Sequence, residues 1–168
     1  MYFGHFPLIP YDSVGDGKFK LVTNLLKRIA VRSKVKTNVL VFDTYDVKSG
    51  ETPELIADKL YNDPELHWVV LMMNDITDRY HQWPLTENQF LAHINDKYDN
   101  VDATHHYEIS QTSGDTTIKI EVENSTYPSA TIVTNYEYEV ALNESKRKID
   151  LLRNDYLGFF TEEFASLI

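Results

Sequence analysis

From Leu21 to Ile29 the apolar residues Leu21, Val22, Leu25, Leu26 and Ile29 recur at three- and four-residue spacing, the period of an amphipathic helix. Ahead of it, residues 1–17 mix aromatics, Pro and Gly without a helical or strand period and predict an extended arm. The apolar side chains of that arm, Phe3, Phe6, Leu8 and Ile9, must pack either on the protein's own core or on a partner. Residues Val39 to Val47 are rich in β-branched and aromatic side chains and predict a strand. After the turn residues Ser49 and Gly50, Thr52 is a good N-cap and Pro53 suits the first helical position, where its missing N–H costs nothing. A helix from about Pro53 to Tyr61 follows. Asp63 and Pro64 repeat the device, opening a second helix whose Leu66, Trp68, Val69, Val70, Leu71, Met72 and Met73 are apolar on nearly every face. Such a helix has to be buried.

Thr86 and Gln89 form a capping box for a third helix reaching about Lys97. From His105 to Val122, two strand-like runs flank Ser113, Gly114 and Asp115 and predict a β-hairpin. A polar stretch containing Pro128 comes next, then a charged helix from about Asn135 to Lys148, a short apolar link at Ile149 to Leu152, and a last amphipathic helix. Tyr156, Phe159, Phe160, Phe164 and Leu167 stripe that helix. The pattern divides the chain into 1–38 (arm and basic helix), 39–99 (strand and three helices), 100–134 (hairpin region) and 135–168 (C-terminal helices). The fold class expected is α+β.

Charge changes this picture in one place. The formal net charge of −10 argues against general nucleic-acid affinity, which draws on Lys and Arg to neutralise phosphates. Yet Lys18, Lys20, Lys27, Arg28, Arg32, Lys34 and Lys36 fall in one stretch without an acidic residue, leaving nine basic against 26 acidic residues elsewhere. The stretch is either a solvated helix face or a docking surface for an acidic partner, such as another copy or a neighbour of similar pI. No cysteine is present, so disulfides and thiolate metal sites play no part. The N-terminal residues lack a basic region and are broken by Gly4, His5, Pro7 and Pro10, unlike a signal peptide, and no run has transmembrane length.

Candidate chemistry is sparse. His105 and His106 are adjacent, which on a regular strand turns them to opposite faces, and His67, His81 and His93 form no sharp metal motif. Neither a nucleophile elbow nor a Gly-rich phosphate loop occurs. These absences point away from an enzyme and call for no cofactor and no metal.

Tyr45, Val47, Gly50, Glu51, Thr52, Ile56, Ala57 and Leu60, followed by Leu71 and Asn74, resemble the LysM pattern, in which a strand, a Gly-Asp/Glu-Thr turn and two short helices precede a second strand. Gly50 suits the tight turn, Thr52 the cap, Ile56 and Ala57 the inward face, and Asn74 the end of the second helix. The departure lies where the closing strand is expected: Asp75 to Gln82 and then Trp83-Pro84-Leu85 stand there. A longer stretch, GETPELIADKLYNDPELHWVVLMMNDITDRYHQWPLT, resembles the central signature of the gene-53 type baseplate wedge proteins of contractile-tailed, T-even-like phages. The likeness continues into the aromatic arm, the basic stretch, the Thr104 to Tyr107 strand start and the C-terminal RKIDLLRNDYLGFF.

That resemblance implies a LysM-like βααβ centre with flanking helices and a β-hairpin. It implies a structural subunit of the virion, assembled in the host cytoplasm, that joins wedges around the central tube and contacts other wedge subunits and the sheath-initiating region, without nucleic acid or membrane. The interface candidates are then Phe3, Phe6, Leu8, Ile9, Lys27, Arg28, Tyr156, Phe160, Phe164 and Leu167. Two rival readings are a LysM-type peptidoglycan-binding module and a muralytic enzyme.

Overall fold

Thr52 stands in extended conformation with its hydroxyl accepting the Leu55 N–H at 3.3 Å. Pro53 follows it, and the helix α2 (Pro53–Tyr61) starts as the sequence predicts. It stops at Asn62, which takes the left-handed conformation (φ 54°) that Asn tolerates better than most side chains. Asp63 then accepts the Glu65 N–H, and a 3-10 turn (Pro64–Leu66) feeds α3 (His67–Met73). In this computed structural model, which describes residues 2–168, the chain forms two compact units. One comprises the chain up to Trp83 together with Lys148–Ile168, the other Pro84–Arg147. These boundaries cut through the expected segments 39–99 and 135–168. The class is mixed α and β, with three small sheets among the described residues.

The first unit is organised by a two-stranded antiparallel sheet of β3 (Phe42–Asp46) and β7 (Lys148–Leu152), with Phe42 opposite Leu152 and Tyr45 opposite Ile149. The stretch expected to be a short apolar link is thus a strand. Ile149 and Leu151 are buried while Asp150 between them points outward, the two-residue alternation of a half-buried strand. Ile56, Ala57 and Tyr61 of α2 and Trp68, Val69, Val70 and Met73 of α3 are buried in the same core. The final helix α7 (Asn154–Leu167) brings Phe164 to 4.5 Å from the Trp68 ring, centre to centre. The Trp68 indole N–H is buried without a hydrogen-bond acceptor among the described residues. A four-residue helix α4 (Arg79–Gln82) precedes Trp83.

Two expectations for the N-terminal region are corrected. The arm is ordered as a 3-10 turn (Tyr2–His5) and a strand β1 (Leu8–Tyr11), which pairs antiparallel with β2 (Lys20–Thr23), Leu8 opposite Thr23. The helix expected over Leu21–Ile29 does not form: β2 ends at Thr23, and the one helix nearby is the short α1 (Ser33–Lys36). Asn24 explains the break. Its N–H donates to the Pro7 carbonyl at 2.9 Å and its side-chain oxygen accepts the Leu26 N–H at 3.1 Å, a local bond of the kind that competes with helix formation. At the hairpin's other end Asp12 accepts N–H bonds from Val14, Gly15 and Gly17, and both glycines have positive φ (77° and 80°).

The second unit contains α5 (Glu87–Lys97), opened by the Thr86/Gln89 capping box, and α6 (Asn135–Ser145), opened by a second box of Thr134 and Glu137. The expected hairpin is present as β4 (Thr104–Ser110) against β5 (Lys119–Val122). A third strand, β6 (Thr131–Thr134), adds to the other edge of β4 from the stretch read only as polar. A register shift between Thr104 and His106 breaks the alternation of β4. His105 and His106 therefore do not face opposite sides as expected: their Nδ1 atoms lie 2.8 Å apart, and His105 stacks on Tyr138 at 3.9 Å.

Candidate interaction site

The motif residues gather around β3, the turn that follows it, and the two helices. Gly50 occupies a turn at φ 84° with open space where a Cβ would stand, so it is the backbone conformation that favours glycine there. Directly after it, Glu51 is 9% exposed. Its carboxylate accepts the Tyr45 hydroxyl at 2.9 and 3.0 Å and the Lys48 N–H at 2.9 Å, and it is ion-paired with Lys59. The Glu51 carbonyl accepts the buried Trp83 indole N–H at 2.8 Å. Burial opposes the charged carboxylate, but the Lys59 ammonium, the Lys48 N–H and the Tyr45 hydroxyl outweigh it and hold the group down at about 2. The same proximity works in reverse on Tyr45, whose hydroxyl is pushed up by burial and by Glu51.

Val47, Ile56 and Ala57 are core side chains. Asn74 follows the last residue of α3, as expected of a helix-ending residue, and it also does something the sequence did not disclose. Its amide nitrogen donates to the Val70 carbonyl at 2.9 Å and the Asp150 carbonyl at 2.8 Å, while its oxygen accepts the Asp150 N–H at 2.8 Å. One side chain thereby ties the end of α3 to both backbone groups of a β7 residue. Tyr61 adds a second tie, its hydroxyl donating to the Leu152 carbonyl at 2.9 Å. The second unit uses the same devices. Asn143 accepts the Leu85 N–H and donates to the Leu85 carbonyl, and the buried Glu139 accepts from Lys97 at 2.6 Å and Tyr98 at 2.9 Å.

The ten interface candidates divide. Phe6 and Phe164 are buried, and Phe160 packs partly buried at 5.8 Å from the Trp68 ring. These three belong to the protein's own core, where they pack in one aromatic cluster with Tyr2 and Trp68. Ile9 is half-buried, whereas Phe3, Leu8, Tyr156 and Leu167 are exposed. Lys27 donates to the Ile168 carbonyl oxygen, and Arg28 is exposed. Beside this cluster runs an open, mainly apolar groove of about 670 Å³, with Tyr2, Phe3, Ile29, Trp68, Leu71 and Met72 among its walls. Among the described residues no three His, Asp or Glu side chains are placed to share a metal ion, and no helix is long and apolar enough to cross a membrane.

A family model described as base plate wedge protein 53 matches residues 1–128. The baseplate wedge protein gp53 of Enterobacteria phage T4 is 38% identical over 58 residues, which cover 34% of this chain and 30% of that protein. The match thus spans under a third of the curated relative's length.

Proposed function

The chain belongs to the base plate wedge protein 53 family and is a structural subunit of a phage tail baseplate; from that premise we propose that it joins wedges to one another around the central tube. It does so by shape and contact with other wedge subunits and the sheath-initiating region, and carries out no reaction. The unit of β3, α2, α3 and β7 serves as a LysM-like docking module whose closing strand arrives after the intervening residues 84–147.

One observation carries this reading. The polar side chains of the LysM-like motif, Tyr45, Glu51, Thr52 and Asn74, are already hydrogen-bonded within the protein. The Glu51 carboxylate is held by Lys59, Tyr45 and Lys48, and the Asn74 amide is spent on Val70 and Asp150. Large apolar side chains, Leu8, Leu21, Leu25 and Leu26 among them, stand exposed on the surface. Such surface suits a protein partner, since exposed apolar area of this kind marks interaction sites. The same accounting disfavours the peptidoglycan-binding alternative, because a glycan groove needs free hydrogen-bonding groups.

Image reconstruction of the intact particle tests the role. The expected result is density for this chain at the contacts between adjacent wedges, close to the tube. Finding it at the tail periphery, or finding particles that assemble normally without it, would sink the wedge-joining role.

A further inference from the structure

The stretch from Lys18 to Leu40 combines two properties found together nowhere else in the chain. It holds seven basic residues and no acidic one, and it exposes Phe19, Leu21, Leu25, Leu26, Val39 and Leu40, with Leu26 at 87% and Val39 at 83%. A solvated basic face does not require large apolar side chains between its charges. Its support within the chain is slight, since a lone two-stranded hairpin such as β1–β2 is marginal in water. Within the described residues, Lys18 pairs with Asp16 and Lys36 with Asp75, and Lys27 donates to Ile168. No described ion pair takes up Lys20, Arg28, Arg32 or Lys34, all of them exposed. The surface is cationic, apolar and uncovered.

We propose that Lys18–Leu40 docks on a carboxylate-rich surface of a second copy of this chain. Charge complementarity identifies the occupant. Outside this stretch the chain carries 26 acidic residues against nine basic, and Pro84–Arg147 alone carries eleven against four. Each copy therefore offers both halves of an attractive pair, the arrangement of a head-to-tail contact between identical subunits. Attraction between such surfaces speeds encounter and sets orientation, and the leucines supply the area removed from water. Nucleic acid fits less well. The apolar side chains are mostly aliphatic and offer little for bases to stack on, and the rest of the chain repels phosphate.

Sedimentation velocity of the full-length protein over a concentration series tests this at ~0.1 M and ~1 M salt, where charges act over about 10 Å and about 3 Å respectively. Concentration-dependent association that weakens at least about tenfold at the higher salt is expected. The Arg28→Glu/Arg32→Glu variant should lose at least as much at low salt while keeping the wild-type melting curve. If that variant misfolds, Lys34→Glu on the exposed side of α1 provides the same comparison. Leu25→Ser/Leu26→Ser should weaken association at both salt levels. A wild-type protein that stays monomeric at every concentration, or a folded charge-reversed variant that associates unchanged, would overturn the proposal. So would a monomer that binds a short DNA duplex through Arg28 and Arg32, which would make the surface a phosphate reader. The proposal extends the wedge-joining role but is read on purified protein. A monomer leaves that role standing, and absence of the chain from wedge contacts leaves self-association standing.

Discussion

Replacing Asn74 with Ala removes three hydrogen bonds at once: those to the Val70 carbonyl, the Asp150 carbonyl and the Asp150 N–H. The Asp150 groups lie on the edge of β7 that faces away from β3, because they are directed at Asn74 while β3 pairs along the other edge. Each intramolecular hydrogen bond contributes about 0.5–1.5 kcal/mol net. Water reaches the Asp150 pair in the truncated variant, so the sum falls near the lower end, about 2 kcal/mol. For a protein of this size each kcal/mol shifts the melting temperature by about 2–4 °C, which gives a fall of about 4–8 °C. Calorimetry measures that fall, and amide exchange should show Asp150 losing protection selectively. Asn74→Asp separates geometry from volume. It keeps an acceptor for the Asp150 N–H but loses both donations and points negative charge at two carbonyl oxygens, so it should destabilise at least as much as Ala at neutral pH. In acid, the protonated side chain regains one donor and part of the loss. A melting temperature within about 1 °C of wild type for Asn74→Ala, with unchanged Asp150 protection, would refute the idea that this amide holds β7 to α3.

The remaining predictions concern the other interior groups. Glu51 is depressed to about 2 from an ordinary 4.5, so its contribution to stability is fully present above about pH 4.5 and is lost as pH falls toward 2. Glu51→Gln should flatten that part of the pH–stability curve, and an unchanged curve in urea melts at pH 3 to 5 would count against the clamp. Trp68→Ala should cost about 3–5 kcal/mol, whereas Trp68→Phe should cost much less because it also removes an indole N–H that has no acceptor among the described residues; equal losses in chemical denaturation would contradict this. Deleting residues 154–168 strips Phe164 from Trp68 and should give a protein without a cooperative melt, so a sharp transition in that variant would show that α7 is an attachment and not core. Chitin oligomers titrated to about 1 mM should produce no heat of binding, and saturable binding abolished by Asn74→Ala would reverse the preference for protein over glycan.

Where local chemistry decides, the sequence was readable. Thr52-Pro53, Asp63-Pro64 and Thr86 with Gln89 each open a helix where predicted, because a cap and its first turn are satisfied within three or four residues. The buried character of α3 was equally plain, since no face of Trp68–Met73 suits water. The closing strand was not. Lys148–Leu152 carries the alternation of a half-buried strand, but five residues are too few to announce a partner about a hundred positions upstream, and the run passes for a link. The clamps were hidden for the same reason. Asn74 reads as the end of a helix, which it is, while its amide serves a residue 76 positions away.

Leu21 to Ile29 shows what the hydrophobic period does and does not specify. The spacing is genuine, yet Asn24 diverts the backbone into a turn and Leu21, Leu25 and Leu26 remain exposed. Periodicity records that these side chains are selected to leave water; it does not record whose surface receives them. In a protein that works alone the two questions have one answer, because its own core is the only cover available. In a subunit of an assembly they separate. The mismatch between a well-formed apolar pattern and an uncovered apolar surface, set among seven cations, is therefore what a segment designed for a neighbouring chain should look like when its own chain is seen by itself.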